Sequence, residues 1–170
     1  MNLKQARILI TGGSTGIGYA IAELCRTRGA RVAINGRKRA PLEQAALNLE
    51  AVALAGDVGV EEDARRVVSQ AASELGGLDV LVNNAAWAER MTLEELDGER
   101  FHAMWQTNVL GAALMARESL PHLKKKGGSI VNIASTAAHK GYATGSAYVS
   151  SKFALRGLTQ CWQAELRPHD

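Results

Sequence analysis

The stretch Arg7-Ile8-Leu9-Ile10-Thr11-Gly12-Gly13-Ser14-Thr15-Gly16-Ile17-Gly18 decides how the chain is read. A short apolar run passes into a glycine-rich turn. An amphipathic stretch from Gly16 to Arg28 follows at once, with Ile17, Ala20, Ile21 and Leu24 at helical spacing. Strand, tight turn and helix in immediate succession open a βαβ unit. In that setting glycines reach backbone conformations closed to other residues and let a pyrophosphate approach the main chain. The free N–H groups and positive end of the helix then hold the phosphates. Gly12, Ser14, Thr15, Gly16, Ile17 and Gly18 are therefore candidate cofactor contacts.

Working outward, the alternation continues along the chain. Gly29 stops the first helix, and Arg31 to Asn35 reads as a second strand. Pro41 opens the next helix, where its missing N–H costs nothing, and Leu42 to Leu49 carries that helix's apolar face. Ala51 to Ala55 is a third strand, Glu61 to Leu75 an amphipathic helix, and Leu78 to Asn83 a fourth strand. One long helical stretch is expected from about Asp97 to Lys126. Ser129 to Ala134 is a fifth strand, and Ser146 to Leu166 a last helix. Strands joined by helices of this length imply right-handed crossovers and a parallel sheet. The expectation is one α/β domain over residues 1–170, a Rossmann-type doubly wound parallel sheet.

Composition narrows the function classes. The 170 residues are 46% hydrophobic and 22% charged, and 20 Lys plus Arg against 17 Asp plus Glu leave a net charge of +3. That excess is too mild for a nucleic-acid binder, and no basic stripe is interleaved with aromatics. The run Lys124-Lys125-Lys126 reads as a solvated helix end. No apolar stretch approaches the ~18 residues of a membrane span. The polar start from Met1 to Arg7 does not resemble a signal peptide. Cys25 and Cys161 read as buried free thiols of a reducing compartment, so a cytoplasmic location is expected. His102, His122, His139 and His169 share no metal-ligand spacing, and no metal site is expected.

The spacing Gly12-x-x-x-Gly16-x-Gly18 differs from the commoner G-x-G-x-x-G pattern and resembles that of the short-chain dehydrogenase/reductase family. Further motifs extend the resemblance. Asp57-Val58 ends the third strand, where the family contacts adenine. Asn83-Asn84-Ala85-Ala86 resembles its Asn-Asn-Ala-Gly motif, which brings Asn84 and Ala85 to the cofactor. Asn108, Ser135 and Tyr148-Val149-Ser150-Ser151-Lys152 come next in the family's order. The resemblance implies the strand order 3-2-1-4-5, with the usual strands 6 and 7 absent. It thus implies a chain ending before the usual C-terminal substrate section, as a portion of a longer protein or a shortened variant.

The end of the second strand bears on the cofactor. NAD enzymes place a carboxylate there for the ribose 2′-hydroxyl. Here the segment is Asn35-Gly36-Arg37-Lys38-Arg39, with no acid, and Arg37 can present a planar fork to a phosphate. NADP is the expected cofactor, with NAD possible.

Tyr148 and Lys152 stand one helical turn apart, so both lie on one face. A phenol ionises near ~10, and a neighbouring ammonium favours the phenolate. Such a pair suits moving a hydroxyl proton while hydride passes to or from a nicotinamide. Ser135 ends the fifth strand at the sheet's carboxyl edge, where open α/β sheets bind ligands, and can hold a substrate oxygen. In the family Asn108 completes a tetrad by anchoring a water near the lysine. The reading is an NADP-dependent oxidoreductase interconverting a secondary alcohol and a ketone. The alternative is a non-catalytic dinucleotide-binding or dimerising remnant. The resemblance also implies a homodimer or homotetramer, formed by the two long helices through Met104, Leu110, Leu114, Leu155, Leu158 and Trp162.

Overall fold

The computed structural model describes residues 3–125 and 127–167. The expected helix end at Lys126, the first two residues of the polar start, and His169 lie outside the described residues.

Five parallel strands form one sheet in the order β3-β2-β1-β4-β5. They are β1 (Arg7–Thr11), β2 (Arg31–Gly36), β3 (Val52–Ala55), β4 (Val80–Asn83) and β5 (Ser129–Asn132). Between and after them run α1 (Gly16–Thr27), α2 (Arg39–Leu49), α3 (Glu61–Leu75), α4 (Gly98–Trp105), α5 (Ala112–Leu123) and α6 (Ser146–Leu166). This is the expected doubly wound architecture.

The two-residue period of the strands splits their side chains between two cores. Ile8, Ile10, Val32, Ile34, Val80 and Val82 pack with α1 and α2. Leu9, Ala33, Leu54 and Leu81 face the opposite way, onto α3 and α5. Both faces are covered, which is why the strands read as continuous apolar runs. Buried ends are tied by side chains. Arg7 pairs with Asp79 beside β4, and the buried Asn35 amide donates to Leu54 and Gly56 carbonyls at 3.0 Å each.

Local chemistry sets the helix boundaries. Three carboxylates, Glu61, Glu62 and Asp63, occupy the first turn of α3, where the helix dipole favours them. Asp97 caps α4 by accepting from the Arg100 N–H at 2.8 Å. α2 begins at Arg39, so Pro41 lies inside the first turn rather than opening it. The first-turn amides have no intrahelical partner, and proline is tolerated there.

The largest departure is in the long helix. It is broken by a π-helical turn over Gln106–Gly111, and α5 carries Pro121 within it. A Cβ on Gly111 would stand 2.6 Å from Val58 Cγ2, so this segment is pressed against the loop after β3. Within this turn Asn108 is buried, at 2% exposure. Strand β5 also ends earlier than expected. Beside its open edge lies a groove of about 460 Å³, lined in part by Leu120, Ile130, Asn132, Trp162 and Leu166. Cys25 is buried as expected, but Cys161 is exposed on α6.

Candidate active site

The glycine turn is held at the carboxyl ends of β1 and β4. Thr11 Oγ1 accepts from the Asn84 and Ala85 N–H groups at 3.0 and 2.9 Å. The Asn84 side-chain amide donates to the Thr11 and Gly12 carbonyls at 2.9 and 3.1 Å. The Asn84 amide nitrogen is therefore occupied in bracing the turn. Gly12 and Gly16 adopt left-handed φ values of 63° and 58°. A Cβ on Gly18 would come within 2.3 Å of the Gly12 carbonyl oxygen, so α1 packs on the turn backbone to backbone.

These features fit a dinucleotide. α1 starts with no acidic residue and no side-chain cap, and Thr15 is extended at φ −151°. Its first amides thus remain for an anion. A Cβ on Gly16 would meet nothing within 4 Å, so the approach to those amides is open. Ser14 is half-buried, whereas Thr15 and Ile17 are exposed at the same helix start.

At the ends of β2 and β3, Arg37 faces Asp57 at 3.7 Å. The Asp57 N–H donates to Asp63 at 2.8 Å. That backbone bond, then Arg66, holds the Asp63 carboxyl below its usual range. Val58 is buried, 5% exposed, within the core. Its side chain supports the loop from beneath.

Lys152 is buried at 3% exposure, and its Nζ donates to the Ile133 carbonyl at 2.8 Å. Burial pushes its ammonium below the ordinary lysine range. The same Nζ lies 5.8 Å from the centre of the Tyr148 ring. Tyr148 packs with Met91, Met104 and Ala147, alongside Trp87 and Phe101. Asn108 reaches neither side chain directly. Its Nδ2 donates to the Trp87 carbonyl at 3.0 Å and to Ser151 Oγ at 3.1 Å, while its Oδ1 accepts from the Trp87 N–H at 3.0 Å. Ser151 Oγ in turn donates to the Tyr148 carbonyl at 2.7 Å.

Ser135 lies three residues beyond β5 and not at its end. It caps a 3₁₀ turn over Thr136–Ala138, accepting from the Ala137 N–H at 3.2 Å. Two further links were not legible in the sequence. Ser151 and the Trp87 backbone complete the Asn108 network, and only the adjacency of Ser151 to Lys152 hinted at a role. Buried Asn83 sits opposite Asn132 in the β4–β5 register and donates to it at 3.0 Å. Asn132 donates onward to Thr159 of α6 at 2.8 Å. A polar bridge thus ties the sheet to the helix bearing Tyr148.

Of the six apolar residues expected at a subunit contact, Met104, Leu114 and Leu155 are buried within the chain itself. α4 packs directly on α6, with Trp105 Nε1 donating to Ser150 at 3.2 Å. Leu110 remains exposed, and Leu158 and Trp162 are half-buried. Among the described residues no group of three His, Cys, Asp or Glu is placed to hold a metal. No described helix is long and apolar enough to cross a membrane.

The sequence model of the family described as short chain dehydrogenase matches residues 6–170. The chain belongs to the short-chain dehydrogenase family. It is 34% identical to a 3-dehydrosphinganine reductase of Danio rerio, over 100% of this chain and 54% of that relative. It is also 34% identical to the chloroplastic NADPH-dependent aldehyde reductase 1 of Arabidopsis thaliana, over 93% of this chain and 59% of that protein. Among solved structures, a short chain dehydrogenase from Burkholderia cenocepacia in complex with NADP superposes with a TM-score of 0.93. It is 35% identical, with 99% of this chain and 71% of that one covered. This member of the short-chain dehydrogenase family thus spans little more than half the length of those curated relatives.

Proposed function

We propose that the chain is the cofactor-binding and proton-transferring part of an NADP-dependent oxidoreductase that interconverts a secondary alcohol and a ketone. The observation that carries this reading is the buried Lys152 ammonium, fixed by Ile133 and set 5.8 Å from the Tyr148 ring. A buried cation with no carboxylate partner among the described residues is costly, and here it stands beside a phenol that can lose or gain a proton. The relatives bound to NADP or named for NADPH support the cofactor. The absence of an acid at the end of β2 and the presence of Arg37 agree with them.

In this reading Gly12, Ser14, Thr15, Gly16, Ile17 and Gly18 form the pyrophosphate turn. Asp57, Val58, Asn84 and Ala85 line or brace the rest of the cofactor site. The bound nicotinamide supplies or takes up hydride. Tyr148 gives its hydroxyl proton to the carbonyl oxygen in reduction and takes it back in oxidation. Lys152 favours the phenolate that results, and Ser135 holds the substrate oxygen. Asn108 acts at one remove, by clamping Trp87 and, through Ser151, the turn that carries Tyr148. Residues 1–170 form one NAD(P)-binding domain of a cytoplasmic protein. It assembles as a homodimer or homotetramer through the exposed faces of α5 and α6.

The test is turnover of a panel of ketones with NADPH, alongside cofactor binding, for the parent and for Tyr148→Phe. The expected result is a loss of ~10²–10⁴-fold in turnover, with cofactor affinity retained. Near-normal turnover in the folded variant would overturn the role of Tyr148. Because the chain spans about half of the curated relatives it matches, a second outcome has its own meaning. NADPH binding with no turnover in the parent would leave a dinucleotide-binding module.

A further inference from the structure

One cation and one anion meet at the carboxyl ends of β2 and β3. Arg37 Nη1 lies 3.7 Å from Asp57 Oδ2, with the two side chains 60% and 35% exposed. The partners are not equally anchored. Asp57 Oδ1 accepts from the Gly59 N–H at 2.9 Å, and the Asp57 N–H donates to Asp63 at 2.8 Å. Asp63 pairs with Arg66, which also donates to the Ala55 carbonyl of β3 at 2.9 Å. No hydrogen bond holds the Arg37 side chain among the described residues. The carboxylate is anchored, and the exposed guanidinium is not.

We propose that Asp57 is a specificity-determining residue, an anchored negative charge that limits how strongly this chain prefers a 2′-phosphorylated dinucleotide to an unphosphorylated one. The inference rests on the cofactor reading above, in which Arg37 receives the 2′-phosphate. A phosphate forked onto Arg37 must displace the guanidinium from Asp57 and then sit near a like charge. An unphosphorylated ribose meets neither cost. A carboxylate at the end of β2 would do the same more directly. The backbone there admits a Cβ, since one on Gly36 would make only ordinary contacts of 3.4 Å with Leu42 and Ser14. This chain instead supplies its acid from the loop after the neighbouring strand, where it tempers the phosphate site without abolishing it.

The experiment is titration of NADPH and NADH into the 170-residue chain and into Asp57→Asn, Asp57→Ser and Arg37→Ala, following nicotinamide fluorescence. Asp57→Asn keeps the acceptor for Gly59, and Asp57→Ser is a smaller control should the first variant fold poorly. The expected result is a preference for NADPH over NADH raised roughly threefold to fivefold in the Asp57 variants, a gain that shrinks at high salt. An unchanged ratio, with both cofactors weakened alike, would overturn the proposal. So would a lowered ratio, which would make Asp57 a support for Arg37 in phosphate binding. The cofactor reading fails separately if Arg37→Ala leaves the ratio untouched, and binding of neither cofactor by the parent overturns both.

Discussion

The glycine turn and the turn bearing Tyr148 and Lys152 stand at the same carboxyl edge of the sheet, yet they are built by opposite means. The first, though braced by Thr11 and Asn84, is shaped chiefly by side chains that are missing. Gly18 touches the Gly12 carbonyl and Gly13 lies against Ile34, at separations no Cβ tolerates. The second is shaped by side chains reaching in from distant segments. Ser151 meets Asn108, Asn108 meets Trp87, and Lys152 meets Ile133. Backbone contact gives no room for relaxation, whereas a hydrogen-bond network can lose one member and keep its shape. The glycine turn should therefore break under a single methyl group. The turn bearing Tyr148 and Lys152 should lose stability by degrees.

The sharpest way to break the contrast is Gly18→Ala. The new methyl would stand 2.3 Å from the Gly12 oxygen and 2.5 Å from Asn84 Nδ2, so α1 or β1 must move. The expected cost is about 3 kcal/mol, measured by chemical denaturation. Gly16→Ala is the control, since its Cβ would meet nothing within 4 Å. It bears only the strain of a left-handed residue, about 1 kcal/mol. Equal losses at the two positions would refute the steric account.

Asn108→Ala probes the other turn. It removes three hydrogen bonds and leaves the Trp87 backbone and Ser151 without their partner. A destabilisation of about 2 kcal/mol is expected in denaturant melts. Tryptophan emission should shift as the loop around Trp87 loosens. A variant as stable as the parent would show that the π-helical turn is held by packing alone.

The smallest effect has the opposite sign. Lys152→Met removes a buried ammonium and keeps most of its volume, so the folded state should gain about 1 kcal/mol near neutral pH. Burial lowers the Lys152 pKa, so the unfolded chain binds the proton more tightly than the folded one. The parent's stability thus rises with pH between the lowered folded-state pKa and the ordinary lysine value of 10.5. The advantage of the methionine variant is full below that interval and fades across it. Thermal melts over a pH series test this, and a constant advantage at all pH values would contradict the electrostatic cause.

The structure corrects some sequence readings and sustains others, and the reason is the range of the forces involved. α3 and α6 occupy their expected spans because apolar spacing and terminal residues act within a few residues. The uninterrupted helix from Asp97 failed because the π-helical turn is imposed from outside, by Val58 against Gly111 and by Trp87 on Asn108. The apolar run puts Ser135 at a strand end, whereas its hydroxyl caps a 3₁₀ turn three residues beyond β5. Cys161 fits the apolar helical pattern, yet no neighbour along the sequence reveals that its side of α6 is left exposed.

The sequence by itself determined the alternation of strands and helices, the glycine turn, and the placing of Tyr148 and Lys152 on one helical face. Each is a matter of local sterics or of helical period, and neighbouring residues suffice to state it. Only the tertiary structure decided that Asn108 bonds to Ser151 and Trp87, that Lys152 lies buried against Ile133, and that an anchored Asp57 faces Arg37. Those contacts join segments remote along the chain. They exist because parallel strands bring the loops after β2, β3, β4 and β5 to one edge, where burial and charge act across space and not along the sequence.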